Sequence, residues 1–250
     1  MWKAGHISRV AVAAVTLLTA VTASAQSPKP VLVELFTSEG CSDCPPAEAF
    51  LQALDSKQPI AGEQLIVLEE HVDYWDDQGW KDPFSSHAFT QRQQEYVERL
   101  GVRQGPYTPQ MVVDGEDQFV GANRSRAAKA FKAAASSNKS EIKLSAQLEN
   151  GRVLAHLEMG PVNFKGDILI AIALDHVQSQ VLRGENGGRH LEHVAVVQYL
   201  AKVGKVKKGE AFTKDVSVAV DHPGQTYRAI AFVQQPDQGK IIGAAMSRVQ

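Results

Sequence analysis

Apolar and polar positions follow two different rhythms along this chain, and the change falls near residue 137. Before it, short apolar runs alternate with stretches at helical spacing. Residues 29–36 (KPVLVELF) are β-branched and apolar, which predicts a buried strand. The run stops at Thr37-Ser38-Glu39-Gly40, and Cys41-Ser42-Asp43-Cys44-Pro45-Pro46 follows. Next comes a helix with Ala47, Phe50, Leu51 and Leu54 on one face; its opening prolines suit a first turn, where no amide donor is needed. Residues 65–72 predict a second buried strand, 73–85 a loop rich in Asp, Gly, Pro and Trp, and 86–100 a polar helix ended by Gly101. Residues 110–113 and 118–120 predict a hairpin through Asp114-Gly115, and Asn123 caps an Ala-rich helix to about residue 135. The order β-α-β-α-β-β-α predicts a compact α/β domain over residues 28–137.

Beyond it, Ile142, Leu144, Ala146 and Leu148, then Val153, Ala155 and Leu157, alternate with polar residues at the period of a half-buried strand. Further runs lie at 167–174, 191–200, 212–220, 228–233 and 241–246, with Asn150-Gly151 as a hairpin signal. Helical spacing is largely missing, so residues 139–250 predict an antiparallel β-sandwich.

The N-terminus carries a different message. Lys3 and Arg9 precede an uncharged run, residues 10–23, and Ala23-Ser24-Ala25 forms a small-x-small cleavage site. This predicts a signal peptide over residues 1–25 and a periplasmic or secreted protein. A membrane anchor is the weaker reading, since about 20 apolar residues are needed to span a bilayer. After cleavage no membrane span is expected. Removing Lys3 and Arg9 takes the formal net charge from −2 to −4, which argues against nucleic acid as a partner. Apolar residues at 44% and charged residues at 22% support a full core and exclude a disordered chain.

With two cysteines in all, a disulfide-stapled mini-protein and a four-cysteine zinc module are both excluded. Their spacing, at the joint between strand and helix, suits a reversible couple. A helix N-terminus stabilises the Cys41 thiolate, and Cys44 lies one turn on, within reach of a mixed disulfide. Cys41 is therefore the candidate nucleophile and Cys44 the resolving residue, provided Cys41 is open to a visiting sulfur. Two alternatives remain: a structural bridge, although closing so short a loop stabilises little, and metal capture, although two thiolates fill half a tetrahedral site. Glu34, a carboxylate inside an apolar strand, is a candidate proton shuttle for Cys44 if buried; otherwise it reaches water at a strand edge.

The dithiol, the Thr108-Pro109 joint before a strand and the β-α order resemble the thioredoxin superfamily. More closely, VELFTSEGCSDCPPAEAFL, HVDYWDDQGWKDPFSSHAFTQRQ, YTPQMVVDG and GENGGRHLEHVAVVQYL resemble the secreted bacterial family catalogued as domain of unknown function 1223. The resemblance implies a thioredoxin-like N-terminal domain, a β-rich C-terminal domain and no established activity. It also implies a cis Pro109 facing the dithiol, with Thr108 offering backbone hydrogen bonds to an extended substrate; a trans proline that merely breaks the chain is the alternative. Gly40 stands where thioredoxins usually carry tryptophan, and Ser42-Asp43 replaces Gly-Pro. An anionic Asp43 opposes thiolate formation, which disfavours strong oxidant behaviour.

Other signals are open. Trp75, with Trp80 and Phe84, forms either a substrate wall over the dithiol or loop packing. His71 is a hydrogen-bonded strand end, or joins the thiols around copper or zinc. The loop from Gly184 to His193 is a hairpin with glycines at positive φ, or meets the dithiol; it is no phosphate loop. His190 and His193 are three apart on a strand, hence on opposite faces. Taken together, the sequence predicts an exported thiol–disulfide oxidoreductase acting on an extracytoplasmic protein or small thiol, with no cofactor and no resident metal. The competing class is a non-catalytic binding protein whose dithiol captures copper or whose sandwich docks a partner.

Overall fold

In the computed structural model, residues 1–2 and 28–249 are described. The leader read at residues 1–25 therefore lies, but for its first two residues, outside them. Among the described residues no helix is long and apolar enough to cross a membrane.

The elements run β1 (Lys29–Thr37), α1 (Pro45–Lys57), β2 (Glu63–His71), α2 (His87–Arg99), β3 (Gln110–Val113), β4 (Asp117–Val120), α3 (Arg124–Ala135), β5 (Lys143–Glu149), β6 (Arg152–Met159), β7 (Gly166–Gln180), β8 (His190–Val206), β9 (Phe212–Ala219), β10 (Tyr227–Gln234) and β11 (Ile241–Arg248). Local chemistry accounts for many of their ends. Cys44 caps α1 ahead of the two prolines. The Ser86 hydroxyl accepts from the Ala88 amide at the start of α2, and the Asn123 side chain accepts from the Arg126 amide at the start of α3. Asn150 and Gly151, both at positive φ, turn β5 into β6.

The expected fold, a thioredoxin-like domain followed by a separate β-sandwich, is overturned by the sheet order. Eight strands form one mixed sheet, β11-β10-β7-β8-β2-β1-β3-β4, and only β5, β6 and β9 form a second. β1 and β2 are parallel over their whole length, whereas β8 joins β2 in parallel through a single register pair, Glu69↔Val196. From there the C-terminal strands extend the N-terminal sheet, and the molecule is mostly β.

Burial explains why β7 and β10 read as continuous apolar runs. Ile168, Ile170 and Ile172 of β7, with Ala229 and Ala231 of β10, pack against Val153, Ala155 and Leu157 of the second sheet. The intervening Ala171, Ala173, Ile230 and Phe232 join Val33, Leu35, Ala47 and Leu51 in the other core. A strand covered on both faces needs no polar alternation. The junction of β2 with β8 at that register pair places the start of β8, and the loop before it, beside the cysteines.

Candidate functional site

Cys41 and Cys44 form a disulfide with a Cα–Cα distance of 5.5 Å at the entrance to α1. The backbone is wound tightly there: the Cys44 amide donates to the Cys41 carbonyl at 3.2 Å, and the Ala47 and Glu48 amides donate to the Cys44 carbonyl. Ser42 and Asp43 are exposed, but the cysteines are 1% and 0% exposed. The expected open Cys41 is thus corrected.

The cover is the loop between β7 and β8. Asn186, itself buried, donates through Nδ2 to the carbonyls of Glu39 and Cys41, both at 2.9 Å. Glu185 Oε2 accepts from the Ser42 amide at 3.1 Å, and the Ser42 hydroxyl together with this amide holds the exposed Glu185 carboxyl below its ordinary value. The glycine-rich segment therefore meets the cysteines, with Gly184 and Gly188 at positive φ.

The loop after β2 supplies the adjoining wall. Trp75 is half-buried and its indole donates to Thr108 Oγ1 at 2.8 Å. A Cβ on residue 40 would come within 3.0 Å of Trp75 Cβ, so the glycine there is what lets this loop close. The Thr108-Pro109 bond is cis, and Pro109 is buried. Trp75, Thr108 and the residue before Cys41 are thereby brought together. Glu34 does not reach water: it is fully buried, with Oε1 accepting from Arg92 Nε at 2.6 Å and Oε2 from the Tyr96 hydroxyl at 2.7 Å. Both of its oxygens are already engaged.

Sequence reasoning missed a buried ionic cluster flanking the cysteines. Glu39, Glu48, Glu69, His71, Asp82 and His193 are all buried. His71 Nδ1 donates to Asp82 Oδ2 at 2.7 Å, and the Glu39 amide donates to the same oxygen. His193 Nδ1 donates to Glu69 Oε1 at 2.7 Å, and the Val194 amide donates to Glu69 Oε2 at 2.9 Å. Trp80 Nε1 donates to Glu39 Oε2, and Thr37 Oγ1 to Glu48 Oε1.

These contacts set the proton affinities. Burial raises Glu48 to about 7, with His193 pulling the other way. Burial would raise Glu69 as well, but the His193 charge and hydrogen bond hold it at about 2. Burial lowers His71, yet Asp82 outweighs it and keeps the ring at about 10; His193 is raised in the same manner, chiefly by Glu69. One signal pointed to Glu48: it lies four residues after Cys44, hence one helical turn along the same face.

Comparison with known proteins gives a family but no activity. A family model described as protein of unknown function (DUF1223) matches residues 32–234. A crystal structure of a protein from Agrobacterium tumefaciens is similar over 89% of this chain and 95% of its own, at 26% identity and a TM-score of 0.67. Two others are remote: a sporulation control protein from Bacillus subtilis, at 8% identity and TM-score 0.31 over 45% of this chain and 49% of its own, and a curli protein from E. coli, at 9% and 0.22 over 43% and 97%. No functionally curated protein matches the chain. With most of its length matched by that one model, the chain belongs to the DUF1223 family of proteins of unknown function.

Proposed function

We propose that the protein is an extracytoplasmic thiol–disulfide exchange protein whose Cys41–Cys44 couple is gated by the loop between β7 and β8. A partner thiolate attacks Sγ of Cys41; the bond between the two sulfurs breaks, and Cys44 leaves as thiolate. A second partner thiol then attacks the mixed disulfide. The partner leaves oxidised, and two electrons rest on Cys41 and Cys44. With the reduced couple the same steps run in reverse.

The observation that carries this reading is a bridge with two residues between its cysteines, at a helix start, covered by a loop tied to it mainly through side chains. A structural disulfide gains most when it closes a long loop, and this one closes almost none. The cover consists of a glycine-rich segment, which can swing away without unpairing a strand. Trp75 and Thr108 then stand beside the exposed sulfur as the candidate substrate wall.

The test is trapping in the native compartment. Cys44→Ser should accumulate a mixed disulfide with the physiological partner, and Cys41→Ser should not. If neither variant traps anything and the couple's reduction potential lies far below about −300 mV, the bridge is inert and the reading fails.

A further inference from the structure

Three buried side chains that the exchange chemistry does not use converge beside the cysteines. Alternation along β2 puts Glu69 and His71 on one face, and the parallel contact with β8 brings His193 to them. Each presents a ligand-type atom within 4.8 Å of the others.

The orientation of the two imidazoles is informative. His71 gives Nδ1 to Asp82, so Nε2 faces the shared space. Nε2 is buried, has no hydrogen-bond partner among the described residues, and lies 3.5 Å from Glu69 Oε1. Two donors about 2.1 Å from a tetrahedral ion stand about 3.4 Å apart, whereas a hydrogen bond would draw them to about 2.9 Å. His193 turns Nδ1 toward Glu69, and its Nε2 lies 3.4 Å from Glu39 Oε1, both of these atoms again lacking a hydrogen-bond partner. Glu39 is steadied in turn by the Trp80 indole. His71 therefore has a hydrogen-bonded carboxylate on its outer nitrogen, the arrangement that orients metal-bound imidazoles, while Glu39 stands 3.4 Å from the outer nitrogen of His193.

We propose that Glu69, His71 and His193 bind one first-row divalent transition-metal ion, through Oε1, Nε2 and Nδ1 respectively, with Asp82 and Glu39 as the outer carboxylates. The ion displaces the protons on the two donor nitrogens, including the one His193 now shares with Glu69. Imidazole and carboxylate donors, with both sulfurs held in a disulfide, suit Zn(II), Co(II) or Fe(II) rather than Cu(I). Three protein donors leave a coordination position open, and Glu48 Oε2 lies 4.0 Å from His193 Nδ1.

The test uses the full oxidised protein titrated with Zn(II) against a chromophoric chelator, and with Co(II) to read the ligand-field spectrum. Expected are one equivalent bound with Kd below about 1 µM and a Co(II) spectrum without a thiolate charge-transfer band. His71→Gln and His193→Gln should each weaken binding at least about 100-fold, and Glu39→Gln about 10-fold. Cys41→Ala/Cys44→Ala should bind as the unaltered protein does, which separates this site from thiol capture and from the exchange reading. Absence of stoichiometric binding by the oxidised protein overturns the proposal whatever the variants do. So does binding that survives both histidine substitutions or needs the cysteines.

Discussion

Strands β1 and β2 carry a buried polar network on each side, and the two are built to different ends. Glu69 and His71 face the cysteines, whereas Glu70, between them, faces α2, 3.7 Å from Arg92 Nε, on the side where Glu34, Arg92, Tyr96 and Gln234 meet. On the α2 side one guanidinium ties the side chains together, although both oxygens of Glu70 lack a hydrogen-bond partner. Arg92 gives Nε to Glu34, Nη2 to Tyr96, and both terminal nitrogens to Gln234. Burial, followed by the neighbouring Glu34, raises Glu70 well above its ordinary value, against the pull of Arg92. Gln234 comes from β10, so this network staples distant parts of the chain together. On the cysteine side, each histidine keeps an Nε2 without a hydrogen-bond partner, 3.5 Å from Glu69 Oε1 for His71 and 3.4 Å from Glu39 Oε1 for His193. The network knotted by Arg92 serves stability; the one that keeps two imidazole nitrogens unpartnered is where a ligand can bind.

The sharpest way to break this contrast is Arg92→Met. It leaves the Glu34 carboxylate buried without a counter-charge, which should cost about 3–5 kcal/mol in urea unfolding. Adding Glu34→Gln should recover much of that, because the stranded charge goes with it. The rate at which a small reductant opens the disulfide in the folded state should not change. A large change in that rate would mean that the two sides are coupled through the strands.

Removing the bridge makes the complementary test. Cys41→Ala/Cys44→Ala should cost about 2 kcal/mol at most, since loop-closure entropy for so short a loop is small. A loss well above this in urea unfolding would recast the disulfide as a structural clamp.

How legible this division was depends on what each feature leaves in the sequence. The strands and helices were readable because each buries a face at its own period: Phe50, Leu51 and Leu54 announce α1, and Asn150-Gly151 announces the turn into β6. The sheet order was not. Alternation shows which face of a strand is covered but not which strand lies beside it, and β8 meets β2 at one register pair. A separate sandwich was the natural expectation from periodicity, and the junction that overturns it has no local signature. The site was half legible. Cys41 and Cys44 declared themselves by spacing, and His193 was rightly set opposite His190, which is exposed. Its real neighbours, Glu69 and His71, are more than a hundred residues away, and Glu34 drew attention because a lone acid in a strand looks available when Arg92 is out of sight.

On the cysteine side, Asn186→Ala should cost about 1–2 kcal/mol, because two buried carbonyls lose their donor. Its main signature should be kinetic. Reduction of the disulfide by a small phosphine should speed up roughly tenfold, as a covering free energy of about 1.4 kcal/mol implies. Unchanged reduction kinetics would show that the loop does not gate the sulfurs.

The smallest effect is a pH dependence at the loop's outer edge. Ser42, through its hydroxyl and its amide, holds Glu185 below its ordinary value of 4.5. A depressed carboxyl makes its contact above the unfolded value and loses it as pH falls through the folded one. Phosphine reduction, normalised to a free disulfide at each pH, should therefore accelerate modestly as pH drops below about 4.5. Glu185→Gln should remove that dependence. Because Glu185 is exposed while Asn186 is buried, the acid effect must stay smaller than that of Asn186→Ala. An acid acceleration that equals it, or persists in Glu185→Gln, would move the gate inward to the ionic cluster itself, where Glu48 and Glu69 would become the groups to test.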